Sequence, residues 1–220
     1  LLIFSQAKNQ PQLLTKQPMP TAKRELVPGE IYHIYNRSAG AKTIFHSEND
    51  YNRFILKMCE YKEKFPIEML AYCLMPNHFH FLIRVVEIVQ PEGLDSMNSR
   101  AESPSQTFLH RLFTSYGKYY DCKYEHHSGR VFQGAYRAKH VGDDAYYLQL
   151  CGYIHDNPVR KKLADKPEEW PYSSYLALTG IRDDGISCDA PELRGMSHRK
   201  IYAEFARKRA DALEEIMRYI

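Results

Sequence analysis

Apolar and polar positions follow two periods along this chain, and the switches between them outline its elements. After the turn signal Pro28-Gly29, the run Glu30–Arg37 alternates in the manner of a strand. Ser47 then offers an N-cap for a helix whose apolar positions Phe54, Ile55, Met58, Cys59 and Tyr61 follow helical spacing as far as Phe65-Pro66. Two further strands, 67–75 and 78–86, are separated only by Pro76-Asn77, so they should form an antiparallel hairpin. A polar connector over 88–105 leads to a second amphipathic helix over 105–124, carrying Phe108, Leu109, Leu112, Phe113 and Tyr116. A short basic strand region within 129–141 precedes a third helix over 143–156, which Pro158 is expected to stop. The order β, α, β, β, α, β, α predicts an α+β fold, an antiparallel sheet with helices packed on one face.

Outside this span the pattern fades. Residues 1–27 are polar and lack periodicity, which predicts a flexible N-terminal arm. The span 28–180 would be the main folded domain, and 181–220 an extension ending in a charged helix. With 44% apolar residues among 220, the chain can build an ordinary globular core. No apolar run approaches the ~20 residues of a membrane span, and the apolar start Leu1–Phe4 breaks too soon to form a signal-peptide core, so no membrane partner is expected. Five cysteines, odd in number and without a Cys-x-x-Cys pair, argue against a disulfide framework or thiolate zinc site and fit a cytoplasmic location. A net charge of +3 is compatible with nucleic acid but does not select it. Seventeen tyrosines supply rings able to stack on unpaired bases, although tyrosine serves ordinary cores as well.

Two short patterns carry candidate chemistry. In Pro76-Asn77-His78-Phe79-His80-Phe81, strand alternation puts both histidines on one face and the phenylalanines on the other. Paired imidazoles there suit a divalent metal; hydrogen-bonded polar groups on a sheet face are the commoner alternative. In Gly152-Tyr153-Ile154-His155-Asp156-Asn157-Pro158, Tyr153 and Asn157 share a helix face, whereas His155 points elsewhere. A phenolate nucleophile beside an amide-oxygen ligand would make sense with a metal-held phosphate, and a mixed N/O site suits Mg²⁺ or Mn²⁺. Packing and helix termination would explain the same pair.

Taken together, four segments resemble the single-tyrosine His-hydrophobe-His transposases of the insertion-sequence type, and most of all the REP-associated tyrosine transposases. They are Val27-Pro28-Gly29 with Tyr32-His33 and Asn36-Arg37; Leu74–His80; Gly129–Gln133; and Tyr153–Arg160. The trailing Trp170-Pro171-Tyr172-Ser173-Ser174-Tyr175 also fits. The resemblance implies a ferredoxin-like nuclease core, with His78, His80 and Asn157 as metal ligands, Tyr153 as nucleophile, and Mg²⁺ or Mn²⁺ as cofactor. It implies cleavage and rejoining of single-stranded DNA hairpins through a 5′-phosphotyrosine intermediate. The insertion-sequence branch usually carries Gln where Asn157 stands, which favours the REP-associated branch and leaves monomer or homodimer, and cis or trans catalysis, open. Arg37, Arg130, Arg137, Lys139 and Arg160 are candidate DNA contacts, with solvated faces as the alternative. Rival readings are a non-catalytic nucleic-acid-binding module and a replication-initiator or relaxase nickase. Neither predicts the joint occurrence of Tyr153 and Asn157 with His78 and His80.

Overall fold

A computed structural model describes residues 26–65, 67–86, 104–124, 130–142 and 144–187. The predicted terminal helix over 197–220, most of the N-terminal arm and much of the polar connector lie outside them. Strands β1 (Ile31–Arg37), β2 (Ile67–Met75), β3 (His78–Val85) and β4 (Arg137–Val141) form one sheet in the order β2-β3-β1-β4. Each neighbouring pair is antiparallel. Helix α1 (Glu48–Lys62) joins β1 to β2 and α2 (Pro104–Lys123) follows β3, giving the interleaved split β-α-β arrangement of ferredoxin-like folds. Helix α3 (Asp144–Arg160) comes after β4.

The α+β class and antiparallel sheet agree with the sequence pattern, but the helices do not share one face. Phe79, Phe81, Ile83 and Ile34 pack with Phe54 and Met58 of α1 and Phe108, Leu109 and Leu112 of α2. Leu82, Cys73 and Met75 pack instead with Leu150, Cys151, Tyr153 and Ile154 of α3. Strand β2 is apolar and buried on both sides over nearly its whole length, so each side requires a cover. A bulge between Met69 and Ala71 sends Leu70 and Ala71 to the α3 side before alternation resumes.

Pro158 also departs from expectation. It sits inside α3, which continues to Arg160. The turn persists because Lys161 N–H reaches Asn157 O at 3.0 Å and Leu163 N–H reaches Pro158 O at 2.9 Å. Lys162 then takes a left-handed φ of 57° that closes the helix. The packed core extends from Leu26 to Ile186, both nearly inaccessible to solvent.

Two polar devices fix the layers. The Trp170–Ser174 segment lies along the outer edge of β2. Leu74 N–H donates to Tyr172 O at 2.9 Å, Ser174 N–H donates to Tyr72 O at 3.0 Å, and Trp170 Nε1–H donates to Leu74 O at 3.0 Å. The second is Asp50, fully buried on α1. Its carboxylate accepts from the backbone of His46 and Ser47, from the hydroxyls of Tyr119 and Tyr124, and from Lys123 Nζ at 2.6 Å. Burial alone would raise the pKa of this acid, but Lys123, Tyr124 and Tyr119 outweigh it and hold the carboxyl below the usual carboxylate range.

Because the folded carboxyl is the stronger acid, its contribution is complete above the ordinary value of 3.8 and is lost as pH falls through the lower folded value. Asp50→Asn should lower stability by about 2 kcal/mol at neutral pH, a figure reduced from that of a fully buried pair because the Lys123 side chain is 33% exposed. Urea unfolding checks this, and the gap to wild type should narrow as pH drops below 3.8.

Candidate active site

Cross-strand partners in an antiparallel sheet share a face, so the register assembles the site. His80 lies opposite Tyr35, which lies opposite Arg137; His78 lies opposite Arg37; His33 lies opposite Lys139. All stand on the side covered by α3. The Tyr153 ring meets His80 edge-on with centroids 5.7 Å apart, and His78 and His80 are themselves 5.2 Å apart. Asn157 follows one turn after Tyr153 and donates from Nδ2 to Tyr153 O at 3.0 Å. The guanidinium of Arg160 rests 5.1 Å from the centre of the Tyr153 ring. The structure therefore brings together two pairs from separate elements, His78 and His80 of β3 with Tyr153 and Asn157 of α3.

Hydrogen bonding decides which lone pairs are available. The Asn77 side-chain oxygen Oδ1 accepts from His78 Nδ1 at 2.7 Å, which leaves the lone pair of the neutral ring on His78 Nε2. Asn157 Nδ2 is engaged by its helix, so its carbonyl oxygen is the atom free to approach His78, the side-chain contact that favours a proton on that ring.

Burial, reinforced by Lys161, lowers the His78 pKa to about 4 despite Asn157. Burial holds His80 well below its usual value, with His33, His78 and Arg160 adding to the effect. Both imidazoles are therefore neutral at pH 7, the form that binds metal. Among the described residues no cluster of three or more His, Cys, Asp or Glu side chains is placed to hold a metal. The groups that could hold a metal are two imidazoles and one amide oxygen, a mixed nitrogen and oxygen set unlike the closed thiolate and imidazole set of a structural zinc.

The basic candidates divide. Arg37, exposed, hydrogen-bonds Gln133 through its Nε, and Arg137 is exposed in the His80 row. Lys139 donates to the Tyr146 hydroxyl at 3.0 Å, and Arg160 packs on Tyr153. Arg130 is exposed and lies outside these rows. His155, next to the catalytic candidates in sequence, is buried and bonds Ser174 Oγ at 2.7 Å, away from the site.

Sequence reasoning gave no site role to Tyr35 and named His33 only among the residues that carry the family resemblance. His33 Nε2 lies 2.9 Å from His80 Nδ1, and Tyr35 stacks on His33 with centroids 4.7 Å apart. The alternation His33, Tyr35, Arg37 was the available signal; only the register shows that this set faces the histidine pair.

An antiparallel sheet that sets two neutral imidazoles and an amide oxygen beside a tyrosine and flanking cations has the groups needed to handle a phosphodiester. The chain belongs to the IS200-like transposase family, whose model matches residues 27–157. It is an enzyme acting on DNA. A Haemophilus influenzae protein, named provisionally as a REP-associated tyrosine transposase, is 24% identical over 127 residues, 58% of this chain and 68% of that protein. The solved structure of a REP-associated tyrosine transposase bound to a REP hairpin superposes with a TM-score of 0.52 at 17% identity, covering 78% of this chain and 93% of the other. That likeness shows the fold. No helix among the described residues is long and apolar enough to cross a membrane.

Proposed function

We propose that this transposase cuts and rejoins single-stranded DNA at hairpin-forming, palindromic repeats through a 5′-phosphotyrosine intermediate. The observation that carries the reading is the meeting of Tyr153 with His80 while Asn157, one turn on, faces His78. The Tyr153 oxygen would bond to phosphorus as the bond to the 3′ oxygen breaks, leaving a free 3′-hydroxyl; attack by a 3′-hydroxyl later reverses the step. Bond energy is conserved, so no nucleotide cofactor is needed. His78, His80 and Asn157 would hold Mg²⁺ or Mn²⁺, which when bound polarises the non-bridging phosphate oxygens. Arg160 sits where it can offset charge developing on the tyrosine oxygen and phosphate. Arg37 and Arg137 flank the histidines and suit the backbone of an incoming strand. A reducing cytoplasm, where DNA and free thiols coexist, is the compartment this reading calls for; the four cysteines among the described residues are unpaired.

Tyr153→Phe should abolish the covalent protein–DNA adduct while leaving hairpin binding within about twofold of wild type. Denaturing gels of labelled hairpins check this, and adduct at normal levels would move the role to another tyrosine. Mixing Tyr153→Phe with His80→Ala chains should restore nothing if each chain works in cis.

Cleavage should stop in chelator, return with Mg²⁺ or Mn²⁺, and fall at least about 100-fold in His78→Ala and His80→Ala. Undiminished cleavage in chelator would remove the metal-site reading.

Substrate choice should favour a hairpin with an unpaired flank over blunt duplex. An unpaired strand can be drawn into line with Tyr153 cheaply, and its bases can stack on aromatic rings. The structural neighbour was solved bound to a REP hairpin. Competition at one fixed salt concentration tests this, with affinity falling as salt rises. Equal binding of hairpin, scrambled single strand and duplex would rule out this substrate class.

A further inference from the structure

His33 and His80 form a buried imidazole pair. Their rings are stacked, with centroids 5.2 Å apart and planes 18° apart, and His33 Nε2 lies 2.9 Å from His80 Nδ1. His33 is wholly inaccessible to solvent, and its other nitrogen, Nδ1, has no hydrogen-bond partner among the described residues. An orphaned polar atom in a packed interior is uncommon and calls for a reason.

Counting protons supplies one. Two neutral imidazoles carry two protons on four nitrogens, and one of those protons lies in the shared N–H···N bond. If the second sits on His80 Nε2, that atom has no lone pair to offer a ligand. For His80 Nε2 to serve as a ligand, the shared proton must belong to His80 Nδ1, with His33 Nε2 accepting it. The second proton then has one place left, the unpartnered His33 Nδ1. Both rings stay neutral and no proton leaves the pair.

We infer that His33 is a positioning residue that sets the tautomer and orientation of His80, its unpartnered Nδ1 holding the proton that His80 Nε2 gives up to become a ligand. This rests on the metal-site reading above. Neighbours that orient a ligating histidine in this way typically change metal affinity by about 10–100-fold when removed.

The test uses the full chain labelled with ¹⁵N-histidine. A nitrogen–nitrogen coupling across the His33–His80 hydrogen bond should be present with and without Mg²⁺. On Mg²⁺ addition the protons should reside on His80 Nδ1 and His33 Nδ1. His33→Phe, which keeps a buried ring but removes the acceptor, should weaken Mn²⁺ binding by about 10–100-fold. His33→Gln, whose amide oxygen can accept the same hydrogen bond, should recover part of the loss. A folded His33→Phe chain that binds Mn²⁺ as tightly as wild type overturns the inference. So does an Mg²⁺-loaded His80 that keeps its proton on Nε2. If Mg²⁺ leaves the His78 and His80 signals of the wild type unmoved, the metal site itself falls and this inference with it, a result distinct from the other two. Should His33→Phe fail to fold, the placement of protons in wild type decides.

Discussion

Alternation along β3 is the constraint from which the rest follows. Phe79, Phe81 and Ile83 are drawn into the cluster beneath α1 and α2, and a strand that buries those three must turn His78 and His80 to the opposite side. A slip of one residue in pairing would place two imidazoles among phenylalanines and move the phenylalanines under α3, so the hydrophobic effect itself enforces the site's register. The chemistry is thus held in place by residues that take no part in it. The same register sets Arg37, Tyr35 and His33 of β1 beside the histidines, with Arg137 and Lys139 of β4 one strand further out.

The second requirement is that α3 reach far enough. Tyr153 and Asn157 lie in its last two turns, and residues 151–158 are all buried. A helix buried through Pro158 still needs partners for its last carbonyls. The turn through Lys161, Lys162 and Leu163 supplies them while keeping Asn157 aimed at His78. Pro158 accordingly lies within the helix, one residue past the amide that matters.

Much of this could be read from the residues beforehand. The elements, the β2–β3 hairpin, and the pairing of His78 with His80 and of Tyr153 with Asn157 follow from periods of 2 and 3.6, which act locally. What escaped depends on tertiary arrangement. The helices were expected on one face because periodicity records that a strand is buried, not how many layers bury it. His33 looked like any polar strand residue, since its partner His80 lies 47 positions away and only β1–β3 pairing brings them together. Pro158 as a helix stop was a local rule overridden by packing around it. The aromatic-serine run at 170–175 belonged to the resemblance without a physical role until its hydrogen bonds to β2 were seen.

That run has a consequence for where this protein begins and ends as a folding unit. The family match closes at Asn157, three residues short of the end of α3 and well before Trp170. A chain trimmed to that boundary would keep every proposed ligand and the tyrosine. It would lose the segment that satisfies the outer hydrogen bonds of β2, the serine that holds His155, and the Tyr172 ring stacked 3.7 Å from Tyr51. An apolar strand with bare peptide groups along one side is a template for pairing with other copies. The span matched by the family model is therefore shorter than the span whose hydrogen bonds and packing close this edge of the sheet.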